Sequence, residues 1–207
     1  MRILLFVLLG ALIFSSCGKK RSIHITAKNA ATGERYAGLQ YFIVSSTTSG
    51  DGEKYKTEKS GFLNENGEAS EIIREKQYRT YAVRVVEPES SCYNKVITMY
   101  FGSPNDEDGH FNFEFAECAY LKQNITNVNC QGSGDYMILY TKNQANSLGL
   151  TGWEFFGCNG YIGDHFSNVP MGKYYFEWHV TRNSITNIYY DTIYLSPGEY
   201  KTYDINY

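Results

Sequence analysis

Tyr174-Tyr175-Phe176-Glu177-Trp178-His179-Val180 is the stretch that decides the fold. Positions 174, 176, 178 and 180 are aromatic or aliphatic, and Tyr175, Glu177 and His179 fall between them. A period of two is the side-chain repeat of a strand with one face toward a core and the other toward water. Asn168 to Lys173 leads into this strand, and the chain closes with Ile188 to Leu195, a Ser196-Pro197-Gly198 turn, and Tyr200 to Tyr207.

The same pattern recurs upstream. Tyr136, Ile138 and Tyr140 alternate with Met137 and Leu139, and Tyr81, Val83 and Val85 with Ala82 and Arg84. Strands are expected over Ser22–Lys28 and Gly38–Ser46, then a polar turn at Ser49–Gly52 and another at Asn64-Glu65-Asn66-Gly67, where glycine can take a positive φ. Lys95–Phe101 and Phe111–Ala116 read as a strand pair joined by Gly102–His110. Helices find no support: Gln144–Leu150 is too short, and Ser70–Lys76 carries no 3.6-residue stripe beyond one turn. Four prolines, 19 tyrosines and 12 phenylalanines in 207 residues suit strands, so the expected class is all-β. The strand–turn scheme of the first half repeats in the second. That predicts two tandem small antiparallel β-sandwiches, over 22–119 and 120–207.

Two sets of residues resemble known domains. Ala31-Thr32-Gly33-Glu34, Ala37-Gly38-Leu39 and Asn64-Glu65-Asn66-Gly67-Glu68-Ala69 are similar to the carboxypeptidase regulatory-like, or transthyretin-like, β-sandwiches. Val169-Pro170-Met171-Gly172-Lys173-Tyr174 looks like the approach to a late strand in prealbumin-like and collagen-adhesin B-type domains. The resemblance implies a transthyretin-like or Ig-like sandwich and brings no catalytic residue with it.

At the N-terminus, Arg2 precedes an unbroken apolar or small run from Ile3 to Phe14, too short to span a bilayer as a helix. It reads as an export signal. Phe14-Ser15-Ser16-Cys17 resembles the lipobox of a bacterial lipoprotein, in a variant similar to those of the Bacteroidota. That resemblance implies a signal peptide over 1–16, cleavage before Cys17, lipidation of Cys17, and a tether over 17–21 holding the protein to the membrane. Lys19-Lys20-Arg21 can rest on anionic headgroups or stay solvated. Surface-export signals of Bacteroidota lipoproteins resemble an acidic cluster here, so a basic one favours the periplasmic face of the outer membrane. The chain's formal charge of −3, with both signs scattered, gives no footprint for nucleic acid.

With Cys17 set aside, Cys92, Cys118, Cys130 and Cys158 form an even set in an exported chain, and three connectivities are possible. A hairpin centred on Asn105 opposes Ile97 to Phe113, Met99 to Phe111 and Cys92 to Cys118, leaving Cys130 for Cys158. Parity then puts the first bridge on the outer face, unless a bulge shifts it. No CxxC spacing points to a metal-binding or nucleophilic cysteine.

Other candidates are sparse. Asn105, Asp106, Glu107 and Asp108 offer oxygen ligands without EF-hand spacing and read as a solvated loop tip. Asp164-His165 sets an acid beside a histidine, yet neighbours in an extended loop point apart and no nucleophile-elbow serine accompanies them. Trp153, Phe155, Phe156 and Tyr161, among Gly152, Gly157, Gly160 and Gly163, form the densest aromatic–glycine region. They are the first choice of ligand surface, with plain core filling in a strand the favoured alternative. Asn124-Ile125-Thr126 fits an N-glycosylation acceptor of a eukaryotic secretory route, which the lipobox argues against, and Asp191-Thr192-Ile193 resembles the O-glycosylation motif of exported Bacteroidota proteins. The expectation is a non-enzyme without cofactor or metal: a lipid-anchored envelope module that binds or scaffolds, serving an outer-membrane complex. The alternative is a carbohydrate-binding lipoprotein of a glycan-uptake system.

Overall fold

The computed structural model describes residues 19–49, 52–101, 109–145 and 151–207. The lipobox reading of Met1–Cys17, the Asn105–Asp108 cluster and most of Gln144–Leu150 lie outside the described residues. The described chain is all-β. Its strands are β1 (Lys20–Asn29), β2 (Gln40–Ser49), β3 (Gly52–Phe62), β4 (Glu68–Arg74), β5 (Thr80–Val85), β6 (Ser91–Asn94), β7 (Thr98–Phe101), β8 (Gly109–Thr126), β9 (Tyr136–Asn143), β10 (Thr151–Phe156), β11 (Tyr161–Ile162), β12 (Ser167–Pro170), β13 (Gly172–Arg182), β14 (Ile185–Leu195) and β15 (Tyr200–Asn206).

Strand β8 holds the architecture together. At 18 residues it is roughly 60 Å long, about three times the usual strand. Its first half pairs β1 and β6 and its second half pairs β15, β12 and β11. The β1 and β15 pairings are parallel and every other pairing is antiparallel. Facing its first half is the sheet β3-β2-β5-β7, and facing its second half is β10-β9-β13-β14. One core draws on Ile23, Ile25, Ile43, Tyr81, Val83, Phe111, Phe113 and Phe115. The other draws on Leu121, Ile125, Met137, Leu139, Phe176, Val180, Leu195 and Ile205. Each fully buried aliphatic or phenylalanine side chain contributes about 2 kcal/mol over its exposed state. Ala116, Ala145 and Met171 form a small third cluster between them.

Several expectations change. Strand β1 begins at Lys20, so Arg21 does not stay solvated on a tether: it is buried, ion-paired to Glu75 at 2.6 Å, with its guanidinium 5.6 Å from the Phe101 ring. Lys95–Phe101 is not one strand. β6 pairs β8, but β7 crosses to the opposite sheet and pairs β5. Phe111 and Phe113 accordingly lie opposite Ile25 and Ala27, and Met99 lies opposite Val83. The cysteine pairing survives this correction. Cys92 and Cys118 are bridged across β6 and β8 with Cα atoms 4.8 Å apart, where the register shifts between Ser91 and Tyr93. Cys130 and Cys158 form the second bridge.

Candidate functional site

The residues of β13 that are even in number, Tyr174, Phe176 and Val180, go into the core, so Tyr175, Glu177 and His179 face out. Register carries this division across the sheet. Glu154, Ile138, His179 and Ile188 form one outward row; Gly152, Tyr140, Glu177 and Tyr190 form the next; Phe156, Tyr136, Thr181 and Thr186 form a third. Tyr175 with Thr192, and Tyr194, extend the face toward Leu195. No element among the described residues packs over it: Tyr190 is 70% and Phe156 57% exposed, and Tyr175, Ile188 and Tyr194 are exposed too.

Side chains on this face brace one another. The Tyr140 ring leans over Gly152, where an added Cβ would sit 3.1 Å from it, and meets the His179 ring edge-on at 5.4 Å. His179 Nε2 lies 2.6 Å from Glu177 Oε1, and Tyr136 packs at 4.9 Å on Phe156. Partial burial, then the neighbouring Glu154 carboxylate, pushes the Tyr136 phenol above its ordinary pKa. The result is an amphipathic, tyrosine-rich surface, and tyrosine is among the residues enriched at protein interfaces.

The four aromatics offered as a ligand surface do not lie on one face. Trp153 and Phe155 share the inward face with Leu139 and Met137, and Phe155 packs on the core. Phe156 lies on the opposite, outward face. Trp153 remains 46% exposed at the mouth of the sandwich, where it meets Tyr161 edge-to-face at 6.0 Å. The outward residues Tyr136, Tyr140, Tyr175, Ile188 and Tyr190 were missed. Their signal was present: aromatic residues occupy both phases of the Tyr174–Val180 alternation, more than one core can absorb.

Among the described residues the histidines are not gathered with other titratable groups into one cluster. Asp164 and His165 contact each other on an exposed loop, and the His165 ring holds the Asp164 carboxyl below its usual range. His24 and His110 are adjacent across β1 and β8, with stacked rings 4.9 Å apart. Among the described residues no group of three or more His, Cys, Asp or Glu is placed to hold a metal ion. The Asn124 amide donates to Asp204 at 2.7 Å, and Thr192 is exposed on β14.

Fold and site together define an all-β protein of two sandwiches, the second displaying a tyrosine-rich sheet face. No protein-family model matches the chain, and no curated protein matches it. Among solved structures it is similar to the TIE protein of Bacillus anthracis, at 16% identity and a TM-score of 0.34; the match covers 90% of this chain and 34% of that one, so the chain spans about a third of that protein. It is also similar to the shaft pilin of Lactobacillus rhamnosus GG, at 6% identity, with 91% and 97% of the two chains covered and a TM-score of 0.38. A third is the minor pilin of Streptococcus agalactiae, at 9% identity, 90% and 94% coverage and a TM-score of 0.30. No residue role is carried over from them.

Proposed function

We propose that this chain is a lipid-anchored cell-envelope protein that works as a non-catalytic binding or scaffolding module, an accessory subunit of an outer-membrane complex on the periplasmic face. The observation that carries the reading is the outward face of β9, β10, β13 and β14, where tyrosines and Phe156 stand in solvent. A monomer that needed only solubility would place charges there; this face has only Glu154, Glu177, Lys142 and Lys173 on its two inner strands and β10. Anchor and surface are tested separately. Cys17→Ser releases the protein from membranes while the unaltered chain sediments with them, and a variant that stays membrane-bound overturns the anchor. Tyr140→Ser with Tyr190→Ser leaves the anchor intact but removes the chain from its high-mass complex on native gels. Persistence in the complex overturns the surface.

A second reading, carbohydrate binding, has its own support. Tyr55 and Tyr100 stand on either side of a groove of about 290 Å³ floored by Val44, Ser46, Thr80 and Ala82, with Arg84 also lining it. Exposed aromatic rings stack on sugar faces. Titration with soluble glycans, following tryptophan fluorescence for the Trp153–Tyr161 mouth and Tyr100→Ala for the groove, decides it: no saturable response at either place removes this reading.

A further inference from the structure

Strand β14 is the edge of its sheet, and the direction of its backbone groups follows from the ladder. The Gln144 N–H donates to the Lys173 carbonyl at 2.8 Å, so Lys173 faces β9. The β13–β14 register runs without a bulge, so Tyr174, Phe176, Trp178, Val180 and Arg182 face β14 and bond Ile193, Asp191, Tyr189, Asn187 and Ile185. The even-numbered residues of β14 therefore direct their N–H and C=O groups to the open edge. Two of these are already engaged: the Thr192 N–H donates to Asp191 Oδ1 at 2.6 Å, and the Tyr194 carbonyl accepts from Lys201 Nζ at 3.4 Å. Thr186, Ile188 and Tyr190 keep both groups open, a set symmetric about Ile188.

Other edges among the described residues are defended, β15 by Lys201 and Asp204. Strand β3 carries Lys54, Lys56 and Lys59, β7 has four residues, β4 carries Glu68, Glu71 and Arg74, and β10 carries Glu154. Lysines, charges and short length are the usual devices against edge-to-edge pairing. Strand β14 has 11 residues, and from Ile185 to Tyr190 it contains no charge, no proline and no bulge, in a chain that is 20% charged.

We propose that β14 pairs antiparallel with β14 of a second copy, two-fold about Ile188, so that the two four-stranded sheets become one of eight strands. In this register Ile188 opposes Ile188 of the second copy, and Thr186 opposes Tyr190. Every free group of Thr186, Ile188 and Tyr190 on both copies is used. Asp191 falls opposite Ile185, so the strand's one charge never meets itself and the charge pattern matches its own copy. The pairing continues the tyrosine face across both copies and does not depend on the lipid anchor.

The test uses the full chain carrying Cys17→Ser, which a detergent micelle does not encumber. Sedimentation equilibrium shows twice the chain mass. Ile188→Pro removes an N–H that makes no bond within the sheet, so the fold is kept while the dimer dissociation constant rises about thirtyfold through loss of the two central hydrogen bonds. Ile188→Lys sets two like charges face to face and decides the matter if the proline variant does not fold. Ile188→Cys cross-links between copies on mild oxidation, since a hydrogen-bonded pair holds Cα atoms about 5.5 Å apart, and Thr186→Cys alone does not. A monomeric parent chain, a dimer indifferent to both Ile188→Pro and Ile188→Lys, or open-ended oligomers that dissociation at this edge leaves intact would each overturn the proposal.

Discussion

Arg21 shows what a single buried charge demands. Its side chain is 4% exposed, and Glu75 and the Phe101 ring supply the counter-charge and the π face. Removing one partner of a buried pair leaves the other uncompensated, which costs about 3 kcal/mol. Glu75→Ala is predicted to lower urea stability by that amount, and a double Arg21→Met, Glu75→Leu variant to recover most of it; a single variant as stable as the parent chain refutes the assignment. Carboxylates give the pH dependence. Burial raises the pKa of Glu114, but Lys28 and Lys95 outweigh it and hold the carboxyl below its usual range; Lys56, Ser45 and Arg79 do the same for Glu58. Asp135, buried beside Asn127, is lowered first by the Gln131 backbone N–H and then by the Asn127 amide and Arg182. A depressed carboxyl stabilises fully above its unfolded value of about 4 and loses that contribution as pH falls through the folded value. The urea midpoint is therefore predicted to be flat from neutral pH down to about 5 and to drop below about 4, less steeply in Glu114→Gln.

At the scale of elements, the β13–β14 hairpin turns on Asn183 and Ser184, both at positive φ (49° and 65°). Two residues of positive φ make the turn whose twist matches paired strands, and its preferred sequence is Asn-Gly. Ser184 occupies the position that glycine fills without strain, so Ser184→Gly is predicted to stabilise the chain by about 1 kcal/mol, read as a rise in thermal midpoint. Strands with one buried face were legible, because Tyr81–Val85 and Tyr174–Val180 alternate sharply. Strand β3 was not, since an edge strand of lysines, glutamates and threonine is exposed on most positions and leaves no period to read. The expected β6–β7 hairpin failed for a related reason. Met99 alternates correctly for either sheet, and nothing local to Lys95–Ile97 announces that the chain changes partner there. The tyrosine face was half legible: alternation separates Tyr175 from Tyr174, but the openness of the sheet around it depends on neighbours distant in sequence.

The largest scale belongs to β8. Its N-terminal half places Phe111, Phe113 and Phe115 in one core, and its C-terminal half places Leu121 and Ile125 in the other, with no break in strand pairing between them. Residues 119 and 120 both lie within this strand, Ala119 already packs in the second core, and Met171 and Ala145 cluster with Ala116, against which Tyr93 packs. Disordering either half of β8 therefore removes hydrogen-bond partners from the other, so the two sandwiches are predicted to unfold as one unit. The chain carries the means to test this. Both tryptophans, Trp153 and Trp178, lie in the second half, so fluorescence excited selectively at tryptophan reports that half alone. Phe113 is fully buried in the first core, and Phe113→Ala costs about 4 kcal/mol by lost burial and the cavity it leaves. If β8 transmits the loss, the tryptophan-monitored urea midpoint falls together with the midpoint from far-ultraviolet circular dichroism, and the two curves superimpose. Independent sandwiches give the opposite record: a biphasic dichroism curve, and a tryptophan transition that stays where it was in the unaltered chain.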